Sequence, residues 1–251
     1  MLDILWARLQ QKHRTIKFPD GPPPALPDRY QGRPVVFPER CASGCDRCAE
    51  ICPTGALLLN PLRIDLGRCL FCGSCAAACP AQSIQFTNEY GMAESVRENL
   101  VVGAESQGAE RIIDAKARRL FGKSLKLRQV SAGGCSACEA DTNVLGTIGW
   151  DLGRFGIQFV ASPRHADGLL ITGPVTENMR LALLKTYRAV PAPKVVIVVG
   201  ACAISGGPFI DHEEVHNGAG ELLPVDLYVP GCPPNPLTIL DGLLRLTGRI
   251  C

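Results

Sequence analysis

The second half of the chain alternates between two kinds of hydrophobic pattern. Five short apolar runs, each long enough for one buried strand, occur at Leu125–Val130, Gly156–Val160, Leu169–Thr172, Val195–Val199 and Leu227–Val229. Patterns with the helical period separate several of these runs, at Glu139–Gly149, Thr176–Ala189 and Leu237–Leu246. Strands that alternate with helices are typical of a parallel sheet covered by helices. We therefore predict an α/β domain over residues 124–251.

The first 40 residues have a different character. Residues 1–17 predict a short helix with an apolar side formed by Leu2, Leu5, Trp6 and Leu9. This side either packs on a neighbouring element or contacts a membrane surface or a membrane-bound partner. Residues 18–40 contain seven prolines, which exclude a helix and disfavour a central strand. They predict an extended arm that lies on another subunit or on the rest of the chain, so residues 1–40 form an N-terminal helix and arm.

Cysteine is the residue type that changes this picture most. Of the 251 residues 46% are hydrophobic and 20% are charged, which supports packed domains, and a net charge of +2 gives no reason to expect nucleic acid as a partner. Twelve of the 13 cysteines fall in compact groups, and Cys251 stands alone. We find neither a secretory signal nor an apolar run long enough for a transmembrane helix. We therefore expect a cytoplasmic protein with metal-binding cysteines, and an unpaired Cys251.

Eight cysteines form two successive runs within residues 41–87. The runs read Cys41-x3-Cys45-x2-Cys48-x3-Cys52-Pro53 and Cys69-x2-Cys72-x2-Cys75-x3-Cys79-Pro80. The second run matches the bacterial ferredoxin pattern for 4Fe–4S clusters, and the first has one extra residue. Zinc sites and disulfides fit consecutive four-cysteine runs poorly. The segment resembles the two-cluster bacterial-type ferredoxins, and residues 88–123 read as a helical connector with helices at 93–102 and 109–121.

The ferredoxin resemblance implies a pairing of ligands between the two runs. In two-cluster ferredoxins each run supplies three ligands to one cluster and one ligand to its neighbour. Carried over to this sequence, cluster A is bound by Cys41, Cys45, Cys48 and Cys79. Cluster B is bound by Cys69, Cys72, Cys75 and Cys52.

The remaining four grouped cysteines each follow a predicted strand. Cys135 and Cys138 come after the first strand of the α/β domain, Cys202 after the fourth and Cys232 after the fifth. The carboxyl ends of parallel strands meet at one edge of a sheet, where ligands bind. We therefore predict a third 4Fe–4S cluster, cluster C, bound by these four cysteines.

The motifs around these cysteines resemble those of a known family. Residues 124–250 are similar to the small subunits of NiFe hydrogenases and to the subunit of respiratory complex I that carries its terminal cluster. The resemblance rests on Cys135-x2-Cys138-Glu139, Gly200-Ala201-Cys202, Pro230-Gly231-Cys232-Pro233-Pro234, and the stretches 162–167 and 170–176. It implies an open, flavodoxin-like sheet with helices on both faces, and electron transfer as the chemistry of this chain.

Cysteine spacing favours one branch of that family. The complex I subunit is expected to carry two adjacent cysteines in its first motif, whereas Cys135 and Cys138 are separated as in hydrogenases. The extra C-terminal cluster domain expected of soluble uptake hydrogenases is absent from the sequence. The resemblance therefore implies an oxidoreductase subunit of an energy-converting, membrane-associated NiFe hydrogenase or formate hydrogenlyase, fused to its ferredoxin domain. Implied partners are a NiFe-type large subunit, membrane-arm subunits that hold the chain at the cytoplasmic face of the membrane, and an external electron carrier.

Two other functions are compatible with the same three clusters. One is a quinone-linked subunit like that of complex I, and the other is a subunit of a nickel-free complex that couples redox chemistry to ion transport. No catalytic residue is expected on this chain, because the catalytic metal would belong to a partner. Glu139 either relays protons or interacts favourably with the dipole of the helix that it begins.

Overall fold

The computed structural model describes residues 2–12, 14–104 and 123–250. Its N-terminal part begins with helix α1 (Leu2–Gln11) and continues into an extended arm. Two small antiparallel sheets follow, in which every strand has two or three residues. One pairs β1 (Pro34–Val36) with β4 (Ile84–Phe86), and the other joins β2 (Leu57–Leu58), β3 (Arg63–Asp65) and β5 (Val101–Val102).

Each cysteine run in this part of the molecule has one member in a short helix. Cys48 lies in α2 (Arg47–Glu50) and Cys75 in α3 (Ser74–Ala78), and the two helices contact each other. Cys48, Cys69 and Cys75 are buried together with Ile64 and Leu66. The thiols are therefore part of the core of this unit, which has little other regular structure to bury.

A five-stranded parallel sheet dominates the second half of the molecule. Its strands are β6 (Leu125–Ser131), β7 (Ile157–Phe159), β8 (Gly168–Thr172), β9 (Val195–Val199) and β10 (Leu227–Val229). They lie in the order β10-β9-β8-β6-β7, and every pair is parallel. This is the flavodoxin-like strand order, and it confirms the predicted fold class.

Helices cover both faces of the sheet. They are α4 (Ala137–Val144), α5 (Glu177–Ala189), α6 (Ala201–Ser205) and α7 (Pro236–Leu246). Leu169 and Ile171 of β8 belong to the core that includes Leu183 of α5, whereas Leu170 belongs to the core that includes Leu240 of α7. Neighbouring residues of a strand point to opposite faces, so a strand buried on both faces reads as the continuous apolar run seen in the sequence.

The proline-rich arm lies on the rest of the chain, one of the two placements that the sequence left open. Arg154 donates hydrogen bonds of 2.7 and 2.6 Å to the carbonyl oxygens of Ile16 and Phe18. Farther along the arm, the hydroxyl groups of Tyr30 and Thr238 are 3.3 Å apart. The arm thus joins the small N-terminal sheets to the α/β domain.

Direct contacts also tie the two halves together. The backbones of Glu94 and Tyr228 exchange two hydrogen bonds of 3.0 and 2.8 Å, and the Ser205 hydroxyl donates a 2.8 Å hydrogen bond to the carbonyl of Gly67. A single buried core includes residues of both halves. The N-terminal unit is therefore packed against the sheet and not merely tethered to it.

Of the two helices predicted within residues 88–123, only the first falls within the described residues. The helix predicted over residues 93–102 is wrong: Arg97–Leu100 forms a 3-10 turn, and β5 follows it and pairs with β3. Burial of Leu100 and Val102 against neighbouring elements outweighs the local helical preference there. The helix predicted over 109–121 falls outside the described residues.

No helix in the part of the chain that the structure describes is both long enough and apolar enough to cross a bilayer.

Candidate iron–sulfur sites

The set of cysteines predicted to bind cluster A surrounds one cavity. The lining of this cavity includes Cys41, Cys45, Cys48 and Cys79. Three of these residues come from the first run, and the fourth follows α3 at the end of the second run. Contact between α2 and α3 brings the two runs together, so the crossed pairing follows from the packing of two short helices.

The set predicted to bind cluster B surrounds a second cavity. The lining of this cavity includes Cys52, Cys69, Cys72 and Cys75. Cys52 comes from the end of the first run and mirrors the position of Cys79 in the other set. The remainder of the wall is mainly apolar and includes Leu57 and Phe86. The N-terminal unit thus contains two similar cysteine-lined cavities.

The third set assembles at the carboxyl edge of the parallel sheet. Cys135 and Cys138 lie where β6 leads into α4, Cys202 lies in α6 directly after β9, and Cys232 follows β10. The loops after the neighbouring strands β6 and β8 meet there. These two strands lie at the point where the strand order reverses, which is where open α/β sheets bind ligands.

Burial makes several of these thiols hard to ionise in the absence of a metal. It raises the pKa of Cys69 to about 12 and that of Cys75 and Cys202 to about 11. It also raises the pKa of Cys138, and the nearby thiols of Cys202, Cys232 and Cys135 add to the rise. A metal that binds thiolates releases these protons, so a cationic iron cluster compensates for the burial of four acidic groups at one place.

Polar groups around the sulfur atoms suit thiolate ligands. The backbone N–H groups of Ala56, Phe71 and Ser83 each donate a 3.3 Å hydrogen bond to a cysteine sulfur, namely those of Cys52, Cys69 and Cys79. Ser74 Oγ lies 3.4 Å from Cys72 Sγ and is the main cause of the lowered pKa of that thiol. Amide groups aimed at sulfur are a means by which proteins tune iron–sulfur clusters.

Two glycines make room for the third set. A Cβ atom on Gly200 would lie 2.5 Å from Cys138 Sγ, and one on Gly207 would lie 2.9 Å from Cys202 Sγ. Both glycines also have positive φ angles, of 94° and 56°. In the sequence these glycines are only neighbours of Cys202, and nothing in the local pattern shows that they border sulfur. In the three places, the residues present fit 4Fe–4S clusters.

The second set is near each of the other two. Cys48 of the first set and Cys75 of the second lie in α2 and α3, which contact each other. Leu70 and Phe71, between Cys69 and Cys72 of the second set, line one cavity together with Cys232 of the third. Cys72 also contributes to the raised pKa of Cys232, after burial and the charge of Cys135.

Each of the three sets reaches the surface. Cys41 of the first set, Cys72 of the second, and Cys135 and Cys232 of the third are exposed. Each set also has at least one buried member, such as Cys48, Cys75 and Cys202.

Glu139 has close partners on β6 and β8. Burial raises the pKa of its carboxyl, but hydrogen bonds from Ser131 and Thr172 outweigh this, and the net effect is a lowered pKa. The Thr172 hydroxyl donates to Glu139 Oε1 at 2.7 Å. These contacts fix the beginning of α4 against the sheet, and a lowered pKa is a disadvantage for a group that must take up protons near neutral pH. The two hydroxyl partners have no signal in the sequence that links them to Glu139.

Single-ion sites are a separate question from clusters. In residues 2–12, 14–104 and 123–250, no group of three or more His, Cys, Asp or Glu residues is arranged to hold one metal ion. A cubane bonds each of its four thiolates to a different iron atom. Its ligands are consequently farther apart than the four ligands of one tetrahedral zinc ion.

Comparisons with known proteins agree with this geometry. Residues 135–246 match the family described as NADH ubiquinone oxidoreductase, 20 Kd subunit, and residues 62–85 match the 4Fe-4S binding domain. Fold and cysteine sites together define an iron–sulfur oxidoreductase subunit that transfers electrons. More specifically, the chain belongs to the family of the 20 kDa subunit of NADH ubiquinone oxidoreductase, and a 4Fe–4S ferredoxin domain precedes the family region.

Individual relatives come from two kinds of complex. A subunit of NADH-quinone oxidoreductase from Clostridium beijerinckii is 45% identical over 118 residues, which are 47% of this chain and 70% of that protein. Formate hydrogenlyase subunit 7 from Escherichia coli is 43% identical over 128 residues, which are 51% of this chain and only 50% of that protein. A solved archaeal membrane-bound sulfane sulfur reductase matches 52% of this chain and 72% of its own, with 35% identity and a TM-score of 0.46.

Proposed function

We propose that this chain is the electron-transfer subunit of a hydrogenase-like or formate hydrogenlyase-like complex. Its twelve grouped cysteines would bind three 4Fe–4S clusters, and clusters of this kind supply one-electron redox chemistry. The chain would connect a NiFe-type large subunit to an external electron carrier. The observation that carries the proposal is the presence of three neighbouring cysteine sets, each with at least one exposed cysteine.

The chain's own residues have three tasks in this proposal. They hold the three sets at fixed separations, because the contacts of Ser205 and Glu94 lock the N-terminal unit to the sheet. They exclude water from the inner cysteines, and they direct N–H groups at the sulfur atoms. These are the properties by which a protein tunes an outer-sphere electron carrier.

The third set supports a protein partner at its exposed side. Cys135 and Cys232 are exposed at the sheet edge, so a cluster bound there is open to solvent unless another chain covers it. We infer that a large subunit with its own metal centre covers this side. Further subunits would attach the complex to the cytoplasmic face of a membrane.

A quinone-linked function is the second candidate. It is favoured by the match to the 20 kDa subunit family and by relatives that are NADH-quinone oxidoreductase subunits. The separated pair Cys135-x2-Cys138 favours the hydrogenase-like function, because two adjacent cysteines are expected at this position in complex I. Nickel in the partner separates the two functions.

The test is anaerobic purification of the chain with its native partners, followed by iron and nickel analysis and a hydrogen-dependent dye-reduction assay. About twelve irons per chain, with nickel and hydrogen-dependent activity, are expected from three clusters of four irons each. Twelve irons without nickel or hydrogen activity would overturn the hydrogenase-like function and leave the quinone-linked or ion-transport function.

A pair of variants tests the three-cluster count independently of activity. Cys202→Ser is expected to lose about four irons, and Cys251→Ser is expected to lose none, because Cys251 stands outside the three sets. If Cys202→Ser retained all of its iron, Cys202 would not be a cluster ligand.

A further inference from the structure

Helix α1 exposes a large apolar surface. The exposed fractions are 59% for Leu5, 64% for Trp6 and 70% for Leu9. Leu5 and Leu9 are four residues apart and Trp6 is next to Leu5, so the three side chains lie on one side of the helix. A soluble surface rarely leaves such a group of large apolar side chains uncovered without a function.

An exposed apolar side chain of the α/β domain lies near the segment that follows α1. Ile148 is 78% exposed, and its carbonyl oxygen accepts a 3.1 Å hydrogen bond from the hydroxyl of Thr15. The N–H of Ile16 donates a 2.9 Å hydrogen bond to the carbonyl of Gly149. These bonds attach the segment after α1 to the loop that follows α4. The exposed Ile148 of the α/β domain therefore lies beside Thr15 and Ile16.

Positive charge is concentrated in the same segment. Residues 2–17 contain the basic residues Arg8, Lys12, Arg14 and Lys17, all of them exposed, and Asp3 is the only acidic residue among them. The remainder of the chain has 22 basic and 23 acidic residues, so the net charge of +2 arises entirely from this segment. A basic segment beside an apolar helix surface complements an anionic lipid headgroup region, where aromatic and leucine side chains enter the acyl boundary.

We propose that α1 and residues 12–17 bind the surface of an anionic lipid bilayer directly. The helix would lie in the plane of the interface, with Leu5, Trp6 and Leu9 inserted and the four basic residues at the headgroups. A single apolar anchor gives only marginal membrane binding, and two combined signals are needed for stable attachment. This chain has both signals within 16 residues. The contact is additional to any attachment through partner subunits.

Membrane contact at this place would position the third cysteine set. Helix α4 begins next to Cys138 and has eight residues, so it is about 12 Å long. The loop after α4 accepts hydrogen bonds from Thr15 and Ile16, which follow α1. The proposal therefore places the bilayer beside the loop that follows the helix carrying Cys138.

The experiment is flotation of the full, anaerobically purified chain with lipid vesicles. The probes are vesicles of phosphatidylcholine alone and of phosphatidylcholine with about 30% phosphatidylglycerol, a composition that gives a strongly negative surface. We expect binding to the anionic vesicles only, and weaker binding as salt is raised. The iron content and visible spectrum of each sample report the clusters separately, so a failure of the cluster proposal is recognised independently.

Two variants with matched controls identify the segment. Leu5→Gln with Leu9→Gln is expected to lower binding at least about tenfold, whereas Leu181→Gln, which is 61% exposed on α5, has no effect. Neutralising the four basic residues of the segment to Gln is expected to lower binding by a similar factor. The matched control neutralises the same number of exposed basic residues elsewhere, at Lys123, Lys126, Lys185 and Arg188.

Trp6 provides a readout that does not depend on flotation. Its fluorescence is expected to be quenched by brominated lipids in anionic vesicles, and Trp6→Phe is expected to remove that change. Binding that survives the segment variants would overturn the proposal. So would an absence of vesicle binding when the same residues are required for co-purification of a membrane-bound subunit, because α1 would then be covered by protein.

Discussion

The two halves of the molecule gather their cysteines in opposite ways. The N-terminal unit has eight cysteines within residues 41–79, one in each of two helices of four and five residues and the others in the loops beside them. The α/β domain has four cysteines between residues 135 and 232, which meet only because five parallel strands end at one edge. Ligands are local in the first case and distant in sequence in the second.

This difference implies a different relation between cluster and fold. In the N-terminal unit three of the eight cysteines, Cys48, Cys69 and Cys75, are core residues, and small domains of this kind depend on metals or other cross-links for stability. In the α/β domain the core consists of β8, β9, α5 and α7, and the cysteines lie at its edge. We expect the first unit to need its clusters in order to fold, and the second to fold first and then bind its cluster.

The two halves are expected to differ most in their response to iron removal. Chelation is expected to increase hydrogen exchange about a thousandfold in peptides from residues 41–87, because their folded state loses the bonds that stabilise it. Peptides from β8 and β9 should remain protected, since both strands are fully buried in an apolar core. Hydrogen–deuterium exchange with mass spectrometry measures both, and loss of protection in β8 and β9 together with residues 41–87 would contradict the comparison.

The second largest difference between the two halves is expected in the pH dependence of thiol reactivity. In iron-free protein Cys202 should keep its raised pKa of about 11, so its thiolate fraction, and with it the alkylation rate, rises about tenfold per pH unit from pH 7 to 10. Cys69 should lose its raised pKa on unfolding, and its rate should level off above pH 9. Cys69 would then react about 100 times faster at pH 8. Alkylation by iodoacetamide, followed by peptide mass spectrometry, measures the two rates.

The next largest effect on stability is expected from a partly buried ion pair next to Gly67, the residue that Ser205 of the α/β domain contacts. Arg97 donates hydrogen bonds of 2.8 and 2.7 Å to the two carboxylate oxygens of Asp65, which also accepts one from the N–H of Gly67. Asp65→Asn is expected to cost about 2 kcal/mol and to speed exchange in residues 62–69 about 30-fold. Arg180→Gln is the control, because its ion pair with Glu177 is exposed and contributes at most about 0.5 kcal/mol. Equal effects of the two substitutions would contradict a structural role for the ion pair of Arg97 and Asp65.

A change at the sheet edge should alter one cluster and spare the others. Gly200→Ala places a Cβ atom against Cys138 Sγ in a backbone conformation that alanine rarely adopts. We expect the iron content to fall by about one third, with the N-terminal unit unchanged in hydrogen exchange. Gly220→Ala has open space around its Cβ and should retain all of its iron. Iron lost in larger proportion would mean that the two halves do not bind their clusters independently.

The sequence predicts the fold best where a structural element is determined by residues that are neighbours in the chain. Continuous apolar runs such as Val195–Val199 predict strands well, because a strand buried on both faces has no polar side. The division of eight cysteines between clusters A and B was implied by the ferredoxin resemblance and stays a prediction. Strands of two or three residues, such as β2 and β5, are too short to show any period, and β5 was expected to be helical.

Contacts between distant residues could not be predicted from the sequence. The bond from Ser205 to Gly67 and the backbone pair of Glu94 and Tyr228 connect residues more than 130 positions apart. Neither pair has a residue pattern that indicates its partner. For the same reason the sequence suggested two roles for Glu139 without its partners Ser131 and Thr172, which set its pKa.

The backbone pair of Glu94 and Tyr228 has one more consequence. Strand β10 is an outer strand of the parallel sheet, and its free N–H and C=O groups would otherwise invite pairing with another copy of the chain. The segment at Glu94 occupies part of that edge by exchanging two hydrogen bonds with Tyr228. During synthesis this segment precedes the sheet along the chain, so it is already present when β10 emerges. The N-terminal half thereby protects the α/β domain against edge-to-edge aggregation.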